Sequence, residues 1–230
     1  MRSGNFSLLW IVCGVLAAGC ASKNAGDIRL APTGIEAGDA VAFLLQSYKE
    51  TGTGDEGAEQ SNAIEQSLFA CLGNELAIAA PELHLVSPQS LRDSALQGRE
   101  ADTFPVATDA VLELLADQRE LHGESLPRLR YVVLLEASVW ESKGKPAVGV
   151  TDKGWGVERN WDRGVRYGAK VLDIAHRRVA GRLWGESSGK RGTGVAFVAF
   201  ILPVPYAYWA QPDSNACTAL GQALARFLAN

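Results

Sequence analysis

Two amphipathic stretches of this chain each place a cysteine on an apolar face. Ile64, Leu68, Cys71, Leu72 and Leu76 recur at helical spacing, and Cys217, Leu220, Leu224, Phe227 and Leu228 do the same near the C-terminus. Helices with such faces bury them against each other or against a shared layer. In an oxidising compartment the two thiols would form one disulfide and lock that packing. The alternative is two buried free thiols, since free cysteine is among the most buried residue types. The compartment decides between them.

The N-terminus speaks to the compartment. Met1-Arg2 gives a positive start, Phe6 to Leu16 is an apolar core, and Ala17-Ala18-Gly19 precede Cys20. That order describes an export signal. The core is shorter than the roughly 20 apolar residues of a transmembrane helix. Leu16-Ala17-Ala18-Gly19-Cys20 resembles a bacterial lipobox, with Ala17 where the pattern usually has a large aliphatic residue. The resemblance implies that Cys20 is acylated and becomes the mature N-terminus. Ala21, in place of an aspartate, resembles outer-membrane lipoproteins. An ordinary secretory signal with a chance cysteine is the other reading. The expected organisation is a signal peptide over residues 1–19, a flexible tether over 20–38, and a periplasmic domain over 39–230.

Of four cysteines in the sequence, Cys13 lies in the signal and Cys20 is the acyl site, which leaves Cys71 and Cys217 as an even pair. A hydrophobic fraction of 47% supports a real core in a single domain. A net charge of −4 excludes the broad basic field that nucleic-acid binding needs.

The pattern alternates between strand and helix. Ala40 to Leu45 reads as a buried strand, and Glu50 to Gln60 as a loop. A helix runs from about Asn62 to Ala77, followed by a strand at Leu83 to Val86. Ser87-Pro88 opens a short helix. Gln97 to Phe104 reads as loop, and Ala107 to Leu121 as the next helix. Tyr131 to Leu135 is apolar on both faces, as in a central strand. Ala147 to Val157, Arg163 to Ala175 and Val179 to Glu186 read as further strands. Val195 to Leu202 reads as a buried strand broken by Pro203 and Pro205, before the final helix. The fold class expected is a single α/β domain with helices packed on a mixed β-sheet.

Several segments together resemble a small α/β domain of envelope proteins. They are Phe69 to Leu76, Leu85 to Pro88, Leu129 to Leu134, and Ala169 to Ala175 running into Arg178-Val179-Ala180-Gly181. The domain is shared by the curli-secretion lipoprotein, the TolB amino-terminal domain and the activator lipoproteins of penicillin-binding proteins. His176-Arg177-Arg178 stands where those relatives carry a turn glycine. The resemblance implies binding and assembly roles, and no catalytic residue transfers from it.

The residues themselves name no catalytic constellation. His84, His122 and His176 lack metal-ligand spacing. No Gly-x-Ser-x-Gly elbow occurs, and Gly189 to Gly194 precedes an apolar run, unlike a phosphate loop before a helix. Glu136 and Glu141, five residues apart, fall on opposite faces of a strand. No catalytic residue, metal ligand or cofactor is therefore expected.

The sharper feature is Gly154 to Arg163, read as a charged loop flanked by two tryptophans, with Trp140 and Tyr167 nearby. Tryptophan beside arginine is the composition of a binding hot spot. Trp155, Arg159, Trp161 and Arg163 are thus the candidate binding residues, set against a purely structural role. The expected function is a non-enzymatic, lipid-anchored binding or assembly accessory of the outer membrane, facing the periplasm. Its partners would be the membrane, through the acyl anchor, and an envelope protein or peptidoglycan. A peptidoglycan or glycan binder and a secretion-pore subunit are the alternatives. The oligomeric state is not legible.

Overall fold

The computed structural model describes residues 22–51, 58–96, 107–121, 128–142, 144–151, 154–198 and 202–229. They form one α/β domain around an eight-stranded mixed sheet. Cys20, the signal segment, Gln97 to Phe104 and His122 lie outside the described residues.

A long hairpin is the spine. Strand β6 (Gly154–Asp173) and strand β7 (Arg178–Val198) pair antiparallel from Gly154↔Val198 to Asp173↔Arg178. The tight end is His176-Arg177-Arg178. There the Asp173 carboxylate accepts from the His176 amide at 3.2 Å and contacts its Nδ1 at 2.6 Å. Arg177 takes φ 50°, the conformation that a turn glycine adopts freely.

The lower half of the hairpin belongs to the core sheet. Strand β4 (Arg128–Glu141) pairs with β6, strand β2 (Asp39–Thr51) runs parallel to β4, and strand β3 (His84–Val86) closes that side. Strand β1 (Ser22–Arg29) pairs with β7 from Ser22↔Ser188 to Arg29↔Gly181. The stretch expected as a tether is therefore an edge strand over these residues. At its last residue, Arg29 stacks 4.2 Å over the Phe227 ring and donates to the Phe227 carbonyl at 2.8 Å.

Alternation sorts the sheet into two faces. Helix α1 (Ala58–Ala79) and helix α4 (Pro212–Leu228) cover one face, over Phe43, Tyr131, Val133, Leu135, Val165 and Val171. Helix α2 (Pro88–Leu96) and helix α3 (Thr108–Leu121) cover part of the other, over Ala42, Leu44, Val132, Leu134 and Leu172. Ser87 accepts the Ser90 amide at 3.1 Å as the cap of α2, with Pro88 at its first position.

Cys71 on α1 and Cys217 on α4 are disulfide-bonded, with Cα atoms 6.4 Å apart. Close approach of α4 to β7 depends on Gly185, where a Cβ would strike the Ala216 carbonyl and come within 2.7 Å of the Leu220 amide nitrogen. The β2 bulge after Leu45 is tied down by Glu65, a buried carboxylate on α1. It accepts the Leu45 amide at 2.7 Å and holds Arg92 of α2 at 2.6 and 2.8 Å.

Candidate functional site

The upper half of the hairpin leaves the core. Strand β5 (Lys145–Thr151) pairs with β6, and strand β8 (Leu202–Trp209) pairs with β7, giving a four-stranded arm in the order β5-β6-β7-β8. Helix α4 starts at the foot of the arm, where Asp213 meets Arg163. β1 also ends there, with Ser22 Oγ 2.8 Å from Ser188 Oγ.

Gly154 to Arg163 is thus the distal half of β6, which corrects the expected charged loop. Glycines and charges at alternate positions gave it a loop-like composition, but its alternation is that of a strand. Trp155, Arg159, Trp161 and Arg163 are all odd-numbered and share one face, the face that α1 and α4 cover further down. The structure brings the four together in a row. Trp140 is not with them: it pairs with Gly164, on the opposite face. Tyr167 shares their face but is buried in the core.

At the foot of the row the contacts are ionic. Arg163 bridges Asp213 at 3.2 Å and Glu141 at 3.6 Å, and Glu141 also binds Arg191. Burial opposes the Arg163 charge. The Asp213 hydrogen bond, with Asp213, Glu141 and Glu50 around it, outweighs burial and raises the guanidinium pKa. Arg159 and Arg191 lie 5.5 and 5.8 Å from the Trp161 ring centre, so two cations engage this tryptophan.

Further out the face turns apolar. Trp155 stacks on Phe197 at 4.1 Å and 9° between planes. In register beside them stand Val150 and Pro203, then a row of Val148, Val157, Val195 and Pro205. Val148 and Val150 are 69% and 75% exposed, and Trp209 is 65% exposed. No described helix covers this patch. Strand spacing and rise give these two rows about 14 by 7 Å between backbone positions, widened on each edge by the side chains.

The opposite face of the arm is small and polar. Gly149, Gly156, Ala196 and Gly194 line it, and Glu158 accepts from Asn160 at 2.7 Å and from the Tyr206 hydroxyl at 2.9 Å. Val195 to Phe197 is therefore the half-buried far end of a long strand, β7, not the start of the expected buried one. Pro203 and Pro205 do not break it off; they sit inside β8. An edge strand tolerates proline because its outward N–H needs no partner.

No family model and no curated protein matches this chain. Among solved structures, it is similar to a PelC dodecamer from Paraburkholderia phytofirmans. That match is 14% identical with a TM-score of 0.38, covering 91% of this chain and 99% of that one. A neuraminyllactose-binding hemagglutinin homolog from Helicobacter pylori is 8% identical with a TM-score of 0.35, covering 87% and 89%. The lipoprotein GNA1162 from Neisseria meningitidis is 9% identical with a TM-score of 0.31, covering 69% and 83%. No residue or activity is carried over from them.

Proposed function

We propose that this protein is a non-enzymatic, lipid-anchored accessory of the bacterial outer membrane that captures an envelope protein on the apolar face of its β-arm. The observation that carries this reading is the uncovered patch around Trp155, Phe197, Val148 and Val150. A patch of this kind costs solubility unless a partner covers it. Its aromatic centre and ionic foot match the anatomy of an interface, with a hydrophobic middle and a polar rim.

Acylated Cys20 would hold the domain at the membrane. β1 begins at Ser22, so the acyl site lies within about 7 Å of the foot of the arm by chain length alone. Such an anchor confines the arm near the membrane surface and raises its local concentration for partners there. It leaves little room for the wide sweep that a 19-residue tether would allow.

The secretion-pore alternative draws on the alternation of β6 and β7 in the arm, apolar on one face and glycine-rich and polar on the other. Copies would have to join β8 of one to β5 of the next. Pro203 and Pro205 on β8, and Pro146 on β5, weaken that pairing. Glycan binding through Trp155 and Trp161 is also less favoured, because Phe197 and two arginines already engage their faces.

Two measurements test the proposal. Cys20→Ala should move the protein from the membrane to the soluble periplasmic fraction; a variant that fractionates as before refutes the anchor. In native gels of mildly solubilised membranes, the wild type should run in a hetero-complex. Trp155→Ala/Trp161→Ala, with its unfolding midpoint preserved, should run as free protein. An unchanged complex refutes the docking face, and a ring of this chain alone selects the pore.

A further inference from the structure

A concavity lies on the other face of the core sheet, beyond the cover of α2 and α3. Its volume is about 640 Å³, within the range of ligand sites. Lys49 and Ser47 of β2, Glu136 and Ser138 of β4, Arg166, Gly168 and Lys170 of β6, and Arg182 and Trp184 of β7 line it.

The register explains the construction. Ser47, Glu136, Gly168, Trp184 and Gly26 form one cross-strand row. Lys49, Ser138 and Arg166 stand in the row on one side, and Lys170 and Arg182 in the row on the other. Gly168 is the floor: a Cβ there would meet only Glu136, at 3.6 Å. Trp184 is the wall, its ring laid across Gly26 of β1, where no side chain fits.

Charge is concentrated here against the sign of the whole molecule. Four cationic side chains face the cavity with one carboxylate, in a chain whose net charge is −4. Lys170 is steadied by Thr108 Oγ1 at 2.9 Å. Among the described residues, Lys49, Arg166 and Arg182 are in no ion pair, although Glu186 is the cross-strand neighbour of Arg166. Elsewhere in the fold the arginines find carboxylates readily, as Arg92, Arg163 and Arg191 do. Unspent cations converging on one cavity fit an anion.

We propose that this groove binds an anionic saccharide. A sugar ring would lie over Gly168 against the face of Trp184. Its carboxylate or phosphate group would be held among Arg166, Lys170 and Arg182, with Lys49 at the far rim. Glu136, Ser47 and Ser138 would take up the ring hydroxyls. The apolar ring face needs the tryptophan, and the acid group needs the guanidinium fork. This site is separate from the arm and does not depend on the anchor.

Isothermal titration of the purified full chain tests the proposal with four probes. Trigalacturonate carries carboxylates, phosphorylated chitobiose carries phosphate, the trimethyl ester of trigalacturonate keeps the rings without charge, and inorganic polyphosphate keeps charge without rings. At least one charged sugar should bind, with affinity falling as salt rises, and whichever binds identifies the acid group. Arg166→Ala/Arg182→Ala should weaken that binding by at least tenfold, as expected when charged hydrogen bonds are lost. Trp184→Ala should also weaken it. Gly168→Leu, which fills the floor and leaves the four cations in place, should abolish it with the unfolding midpoint retained. The proposal is overturned if neither charged sugar binds, if the ester binds equally well, or if the arginine variant binds as the wild type does. Polyphosphate binding as tightly as the sugars, with no effect of Trp184→Ala, overturns the saccharide.

Discussion

Removing the Cys71–Cys217 bridge should cost close to the whole chain-entropy value of a long loop. The two cysteines are 146 residues apart. Releasing a loop of that length in the unfolded chain corresponds to about 5 kcal/mol at 25 °C. Little should be lost from the folded side. α1 and α4 still share one face of the sheet, and Leu72, Leu76, Leu220 and Leu224 remain fully buried between them and the strands. The assay is guanidinium unfolding of the oxidised protein against Cys71→Ala/Cys217→Ala, followed at equilibrium and in stopped flow. With a slope of about 4–5 kcal/mol per molar for a domain of this size, the midpoint should drop by about 1 M. The partition of the loss between slower refolding and faster unfolding reports how far α1 and α4 have closed the loop in the transition state. A loss below about 1 kcal/mol would refute this reasoning. So would two alkylatable thiols in the protein as isolated.

Gly185→Ala should destabilise by about 1–3 kcal/mol, because its Cβ meets helix backbone and not a side chain that can swing away; chemical denaturation measures it, and a neutral result would show that α4 can lift off β7. Tyr167 is held neutral by burial first, and then by the charge of Asp213, so its phenol pKa in the fold lies well above the ordinary value. The unfolded chain then ionises first, and the stability this residue contributes is complete below about pH 10 and lost as pH rises further, by up to about 1.4 kcal/mol per pH unit. Tyr167→Phe should flatten the alkaline limb of a stability–pH profile relative to the wild type; superimposable limbs would contradict it.

The sequence made some of this legible and hid the rest for identifiable reasons. The bridge and its two helices could be read because helical spacing is local: Leu68, Cys71 and Leu72 announce their common face within a turn. The cap at Ser87-Pro88 is equally local. β1 could not be read, since Ser22–Arg29 is polar and its partner on β7 lies more than 150 residues away. The arm was missed because Gly154 and Gly156, followed by Glu158, Asn160 and Asp162 at the same parity, mimic a loop. Elsewhere in the sheet glycines follow from rings on neighbouring strands, as at Gly164 under Trp140 and Gly26 under Trp184. The four candidate residues were chosen for their chemistry, and their common face follows from strand parity once β6 is known to be a strand. The basic groove left no compact motif at all. Its side chains come from four strands, and only the even spacing of Arg166 and Lys170 hinted that they share a face.

The docking face of the arm is the claim on which the functional account rests. A photo-reactive amino acid placed at Val150, at the exposed end of the arm, and separately at Ile78, an equally exposed apolar residue on α1, puts it to the test in intact cells. The account predicts a discrete adduct between this chain and one envelope protein from position 150, lost in the Trp155→Ala/Trp161→Ala background, and no such adduct from position 78. Equal labelling from both positions, or an adduct from position 150 that survives loss of the tryptophans, would contradict it.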